Sequence, residues 1–135
     1  MKEASAKEVR AILEKKWPEL KQIWLFDRKY MLITVIEVEQ ILSSLNDMPR
    51  FRYELFDCDD FALVTHAFVK QKFAGENKYK YNAAFGEVMF YEPVGGIHVA
   101  NLFITEDETI WFYDAQLKQM ETPLIPLHDV YFVRM

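Results

Sequence analysis

The sequence predicts an α+β domain in which helices come first along the chain and antiparallel strands follow. Up to about residue 73 the apolar residues recur at the spacing of a helix face, whereas residues 81–134 alternate with the two-residue period of strands. Three helical segments each begin with a sequence that caps a helix N-terminus. A chain of 135 residues, of which 51% are hydrophobic, is expected to fold as one domain around its own core. We therefore expect helices packed against an antiparallel sheet.

Two helices are predicted before the middle of the chain. Ser5 is followed three positions later by a glutamate, and this capping box precedes a predicted helix over residues 6–16. The same pattern at Thr34 precedes a second helix that is expected to run to about Leu45. Residues 30–33 could form a short strand or lead into the second helix.

The third predicted helix is the central element of the domain. Asp57 followed by Asp60 indicates its start, because aspartate is a strong N-cap residue, and it is expected to run from Cys58 to about Phe73. Its first half is apolar nearly all round, which is typical of a buried helix. The single domain is therefore divided into a helical N-terminal part, the cysteine helix and an antiparallel sheet, over about residues 1–47, 57–73 and 81–134.

The second half of the chain is predicted to form the sheet. Alternating patterns cover residues 81–91, 97–105 and 109–113, and the turn at 106–108 joins the last two of these strands as a hairpin. A final strand is expected over 130–133.

Composition excludes several classes of function. The net charge of −5 and a pI of about 5.2 argue against a nucleic-acid or anionic-membrane binder. The single cysteine excludes an internal disulfide and a multi-cysteine zinc site. The sequence has no apolar leader and no apolar run of about 18 residues, so we expect no signal peptide and no membrane span. The protein is then expected to be cytoplasmic or to be released without the usual signal.

Three residues in the order cysteine, histidine, acid form the candidate catalytic site. Cys58 opens a helix, whose free N–H groups favour a thiolate, and His98 follows a glycine pair and could act as its base. A hairpin symmetric about Asp107 places Asp114 opposite about Ala100, within reach of His98, which it would orient as in a catalytic triad.

Further polar residues surround this predicted site. Gln116 and Asn101 are weaker candidates for contacts with a substrate or its oxyanion. Three aspartates flank the cysteine and should raise the pKa of its thiol unless they point away, pair with cations or bind a metal. His66 is predicted to be structural and His128 to lie on the surface.

Four sequence segments resemble the C-terminal domain of fungal agglutinins of the Marasmius type. They are the segments that begin at Asp57, Gly86, Gly95 and Trp111, and they read DCDDFA, GEV, GGIHVAN and WFYDAQ. The resemblance covers about residues 50–120 and extends more loosely to the papain-like, transglutaminase-like and NlpC/P60 groups. In those agglutinins a sugar-binding lectin domain precedes this one, so we expect a stand-alone version here.

The resemblance implies a papain-like fold and a calcium-dependent cysteine protease. Cys58 would then be the nucleophile and His98 the base, and Asp114 would replace the glutamate that is more common in the family. The family's calcium suggests Asp59 and Asp60 as metal ligands, with Asn101 as a further candidate, because hard oxygen atoms suit this ion.

Two functions follow from the sequence. The first is a cysteine peptidase or amidase that cleaves a peptide or a peptidoglycan-like substrate through an acyl-enzyme intermediate. The alternative is a catalytically silent papain-like module for binding or dimerisation, since a fold alone does not fix a function. A homodimer could form through an apolar patch of Trp24, Phe26 and Tyr30.

Overall fold

A computed structural model describes residues 2–93, 95–121 and 129–135, and within these ranges it contains three helices and eight strands. In chain order these elements are β1 (Lys2–Ser5), α1 (Ala6–Lys16), β2 (Gln22–Trp24), β3 (Lys29–Leu32), α2 (Val35–Leu42), α3 (Cys58–Gly75), β4 (Phe85–Tyr91), β5 (Ile97–Ile104), β6 (Ile110–Asp114), β7 (Gln119–Glu121) and β8 (Val130–Arg134). The α+β class predicted from the sequence is confirmed.

The main sheet is mixed, so the prediction of a purely antiparallel sheet is wrong. Its six described strands follow the order β2-β8-β4-β5-β6-β7, and β2 runs parallel to β8 while the other neighbours are antiparallel. Because β2 and β8 lie far apart in sequence, no hairpin turn forces them to be antiparallel. A separate antiparallel pair joins β1 to β3.

The two capping boxes begin the first two helices as predicted. At α1 the Ser5 hydroxyl accepts the Glu8 N–H at 3.2 Å, and the Glu8 carboxylate accepts the Ser5 N–H at 2.7 Å. Thr34 caps α2 in the same way. However, α2 ends at Leu42 instead of about residue 45, because the hydroxyls of the two following serines donate to carbonyls of its last turn.

Helix α3 begins at Cys58 as predicted, but only one of its faces is buried. That face packs on β4 and β5, and it consists of Phe61, Ala62, Thr65, His66, Val69 and Phe73. Leu63 on the other side is 47% exposed, so the expectation of burial all round the first half is wrong. The physical reason is that α3 lies on the outside of the sheet instead of between two layers.

Short strands account for the other differences from the prediction. The N-terminal part, predicted to be helical, also contains β1 and β2, and β7 was not predicted. At β3 a strand forms, which is one of the two alternatives left open for residues 30–33. Each of these strands has only three or four residues, which is too few for a periodic pattern, and each pairs with a strand distant in sequence or at a sheet edge.

The core consists of two clusters, one on each face of the main sheet. Along β5, Leu102 joins the cluster that contains the buried residues of α1, whereas Phe103 joins the cluster of α2 and α3. Successive residues of a strand point to opposite faces of the sheet, so these two neighbours belong to different clusters. No helix in the described part of the chain is long and apolar enough to span a membrane.

A buried ionic group joins α3 to the sheet. His66 Nδ1 lies 2.7 Å from Glu87 Oε2, and Arg134 donates to both oxygens of the same carboxylate at 2.9 and 2.7 Å. Burial raises the pKa of Glu87, but the hydrogen bonds from His66 and Arg134 outweigh burial and leave this pKa below its usual value. His66 is therefore structural, as predicted, whereas His128 lies outside the described residues.

Candidate functional site

The residues of the predicted triad meet at one recess. Cys58 at the start of α3, His98 on β5 and Asp114 at the end of β6 all line this recess, together with Gln116. The recess is narrow and encloses no space for a water-sized molecule. The structure thus brings the three predicted residues together around a narrow recess.

The predicted hairpin places Asp114 next to His98. Its register pairs Ile104 with Ile110 and Phe103 with Trp111, as predicted, and His98 Nε2 lies 3.7 Å from Asp114 Oδ2. This is an ion-pair distance and is longer than an ordinary hydrogen bond.

The environment of His98 favours its charged form. Its interaction with Asp114 raises the pKa of His98, burial opposes this, and the charges of Glu92 and Glu121 raise it further. Conversely, the interaction with His98 holds the pKa of Asp114 below its usual value, against the effect of burial. The Asp114 carboxylate also accepts the N–H groups of residues 116 and 117, each at 3.0 Å.

Glu92 is a member of this site that the sequence analysis missed. Its carboxylate lies 3.8 Å from His98 Nδ1, on the side of the ring away from Asp114. The turn that positions it is closed by a hydrogen bond from Glu92 N–H to the Gly96 carbonyl and contains two glycines with positive φ, Gly95 and Gly96. The glycine pair that follows three residues after Glu92 was the sequence signal for this turn.

The surroundings of Cys58 disfavour its thiolate form. Burial is the largest effect and raises the pKa of Cys58, a backbone hydrogen bond at Val99 lowers it, and the charges of Asp57 and Asp59 raise it again. Together these effects leave the pKa of Cys58 above that of an ordinary thiol, so the neutral thiol prevails near pH 7. Among the described residues, no hydrogen bond joins the Cys58 sulfur to the His98 ring.

Three carboxylates cluster at the start of α3. One oxygen from each of Asp57, Asp59 and Asp60 lies within 4.8 Å of the others. A hydrogen bond shared with Asp57 is the largest cause that raises the pKa of Asp59, and the same contact lowers the pKa of Asp57. Asp57 and Asp59 thus lie close enough to share a proton. Carboxylate oxygens are also hard donors, so the three side chains together suit a divalent cation.

Asn101 has a structural role that differs from the predicted ones. It is fully buried, and its amide donates to the carbonyls of Ala62 at 2.9 Å and Gly86 at 3.0 Å. Both amide hydrogens are used in these bonds, so Asn101 has none left for an oxyanion. It ties α3 to β4 from within β5.

Comparisons with known proteins identify related chains. A family model described as Agglutinin C-terminal matches residues 30–120, about two thirds of the chain. The solved structure described as "PSL1a-E64 complex" is 26% identical, with a TM-score of 0.81 over 98% of this chain and 51% of that chain. Polyporus squamosus lectin, bound to the human-type influenza-binding epitope Neu5Acα2-6Galβ1-4GlcNAc, is 23% identical, with a TM-score of 0.79 over 98% of this chain and 49% of that chain.

The chain therefore spans about half the length of the two solved structures that it resembles. None of the curated proteins matches the sequence significantly.

These comparisons contradict the cysteine hydrolase predicted from the sequence. The family model describes an agglutinin domain and one of the matched chains is a lectin, which favours a binding module over a cysteine protease with a catalytic triad. They also give no support to a peptide or peptidoglycan-like substrate. In the structure, burial and the charges of Asp57 and Asp59 raise the pKa of the Cys58 thiol, which disfavours the thiolate that acyl transfer requires.

Proposed function

Because the chain belongs to the Agglutinin C-terminal family, we propose that it is a carbohydrate-binding module with a papain-like fold and a silent cysteine site. The papain-like part of this proposal is supported by a helix that starts at a cysteine and packs on a sheet that carries a histidine and an acid. We also propose a cytoplasmic location, because a lone free thiol suits a reducing compartment.

The match to the agglutinin family is the observation that carries this proposal. It spans α3, β5 and β6 and thus includes all three residues of the predicted triad. The lectin that this fold resembles binds a sialylated glycan. Since the chain spans half of that lectin, glycan binding by this half is part of the proposal.

An array of immobilised glycans tests the proposal directly. The array should include Neu5Acα2-6Galβ1-4GlcNAc and neutral galactosides, and both the wild-type chain and Cys58→Ala should be applied. We expect the two proteins to bind the same glycans equally, because the thiol takes no part in recognition. Absence of binding by a correctly folded chain would refute carbohydrate recognition, and loss of binding only in Cys58→Ala would refute the silent role of the thiol.

We further propose that the carboxylates of Asp57, Asp59 and Asp60 bind Ca²⁺. The ion would neutralise the repulsion among the three carboxylates and stabilise the start of α3. Calcium should raise the Tm of the wild type and of Asp47→Asn, an exposed control, but not that of Asp59→Asn. Equal shifts in all three proteins, or no shift in any, would contradict this.

Dimerisation is a second candidate function, supported by an aromatic cluster at the sheet edge. Trp24 on the edge strand β2 is 52% exposed and Phe26 is 65% exposed. The Trp24 ring lies 6.3 Å from Phe26 and 5.7 Å from Phe132 between centroids. Tyr30, which was predicted to join this patch, is fully buried and hydrogen-bonded to the carbonyl of Met135.

Sedimentation equilibrium distinguishes a dimer from a monomer. We expect a dimer that Phe26→Ser dissociates, because the change removes a large exposed apolar ring. Ile36→Ser is the matched control, since Ile36 on α2 is also 65% exposed. A monomeric wild type, or equal dissociation by both changes, would contradict dimerisation through this cluster.

A further inference from the structure

His98 is faced by carboxylates from three separate elements. Glu92 follows β4 and lies 3.8 Å from Nδ1 of the ring, and Asp114 at the end of β6 lies 3.7 Å from Nε2. The negative charge of Glu121 on β7 acts on the same ring. A protonated His98 is therefore the positive charge that holds these groups close to one another.

The described neighbours of His98 on β4 and α3 carry no positive charge. On β4 the Phe90 ring lies 5.4 Å from the imidazole between centroids, and on α3 the titratable group that lines the recess is the thiol of Cys58. Within residues 2–93, 95–121 and 129–135, the ion pairs of lysine and arginine involve acids other than the three that face His98. Loss of the His98 proton thus removes the positive charge that balances these carboxylates.

A neutral imidazole cannot hold a carboxylate on each side of its ring. The protonated ring has an N–H group on both nitrogens, whereas the neutral ring keeps one N–H and presents a lone pair on its second nitrogen. A carboxylate that faces this lone pair is repelled by it. One of the two contacts of His98 is therefore lost when the ring loses its proton.

Glu92 is the carboxylate that the neutral ring releases. Asp114 is held in place by two backbone N–H groups at 3.0 Å, and its side chain is 22% exposed. The side chain of Glu92 is 41% exposed, and among the described residues no other ion pair or side-chain hydrogen bond holds it. Asp114 therefore stays beside the neutral ring, whereas Glu92 moves into water at little cost.

The turn that carries Glu92 has few other contacts. Two backbone hydrogen bonds of 3.0 Å close it, from the Glu92 N–H to the Gly96 carbonyl and from the Gly95 N–H to the Glu92 carbonyl. Both glycines have positive φ, and no described atom outside the turn lies within 4 Å of the place where either would carry a Cβ. Segments with few packed contacts open at a low cost in free energy, so the contact with His98 is a main restraint on this turn.

We infer that His98 is a pH-dependent latch for the turn after β4: its charged ring holds Glu92 against the end of β6, and loss of its proton releases Glu92 and loosens the turn. Because the three carboxylates raise the pKa of His98, the latch stays closed above the ordinary histidine pKa of about 6.5 and opens as the pH rises through the folded pKa. This latch is independent of the proposed carbohydrate binding.

Carbon-13 relaxation at the Cα atoms of Gly95 and Gly96 measures the latch, because it does not depend on the exchange of amide protons with water. The ring carbons of His98 give the midpoint of its titration, and order parameters are measured one pH unit below and one unit above this midpoint. We expect values of about 0.85 below the midpoint and under about 0.6 above it. Gly75 at the end of α3 is the control position and should not change. Unchanged order at Gly95 and Gly96 across the midpoint would overturn the inference.

Two variants separate the latch from a general effect of pH. Glu92→Gln removes the charge that His98 holds, so order at the two glycines should no longer depend on pH; because this side chain is 41% exposed, the variant should fold normally, which melting curves can verify. Glu121→Gln is the matched control, since it removes a nearby carboxylate that lies outside the turn. Its turn should still loosen, at a slightly lower pH. Loosening that persists in full in Glu92→Gln would show that another group controls the turn.

Discussion

His98 lies between two carboxylates, Asp114 at 3.7 Å and Glu92 at 3.8 Å. The hairpin that provides Asp114 could be predicted from the alternation of apolar residues and the turn near Asp107, because the register of a hairpin follows from its turn. Glu92 was missed because its approach depends on the backbone conformation of a glycine turn. The protonation of Cys58 depends on burial, and burial at a single residue cannot be derived from the sequence.

The ion pair of His98 and Asp114 should make stability depend on pH. The pKa of His98 is raised in the folded state and that of Asp114 is lowered, so the pair stabilises the protein above the pKa of an unfolded aspartate, about 3.9, and below that of an unfolded histidine, about 6.5. This contribution is lost as the pH rises through the folded pKa of His98.

We predict that Asp114→Asn lowers the pKa of His98 in NMR titrations and destabilises the protein by about 1 kcal/mol near pH 5. The loss should shrink above the folded pKa of His98, where the ring is neutral in both proteins. A histidine that titrates at its ordinary pKa in the wild type would show that the pair is not formed.

At the scale of elements, capping boxes and hydrophobic periodicity identified all three helices and four of the strands. These signals are local, so they are present in the sequence itself. The strands β1, β2 and β7 depend instead on partners elsewhere in the chain, and so does the parallel pairing of β2 with β8.

Gly86 shows how closely two strands approach. A methyl group at this position would collide with the backbone carbonyl of Arg134 on β8 and the side chain of Met135. We predict that Gly86→Ala destabilises the protein by about 3 kcal/mol in urea unfolding, because the strands would have to separate.

Gly75 is the matched control for this change. It ends α3, and no atom lies within 4 Å of the place where a methyl group would be added. Gly75→Ala should be neutral or stabilise the protein by up to about 1 kcal/mol. If the two variants were equally stable, the close approach of β4 and β8 would be wrong.

At the scale of the whole molecule, one buried carboxylate connects three elements. Glu87 on β4 binds His66 from α3 and Arg134 from β8. The sequence analysis identified His66 as structural but gave no sign of its partner Glu87, which lies 21 positions away, or of Arg134, which lies 47 positions beyond Glu87.

Loss of the contacts of the Glu87 carboxylate should destabilise the folded protein. Glu87→Gln removes the charge that the Arg134 guanidinium faces and that the His66 ring contacts, and we predict a loss of about 3 kcal/mol in the free energy of unfolding at pH 7. Because the pKa of Glu87 is lowered in the folded state, the difference from wild type should fall as the pH drops through that pKa. Glu108→Gln is the control, since Glu108 pairs with Lys2 on the surface and should cost at most about 1 kcal/mol. Similar losses in both variants would refute the structural role of the buried group.

We propose that the molecule acts through recognition and not through its thiol. The rate at which iodoacetamide alkylates Cys58, measured against pH, tests this most directly. We predict a rate that is low at pH 6, rises only above the ordinary thiol pKa of about 8.5 and is unchanged in His98→Ala, because burial and two aspartates disfavour the thiolate. Fast alkylation at pH 6 that disappears in His98→Ala would contradict the claim, since it would require a thiolate paired with a charged imidazole.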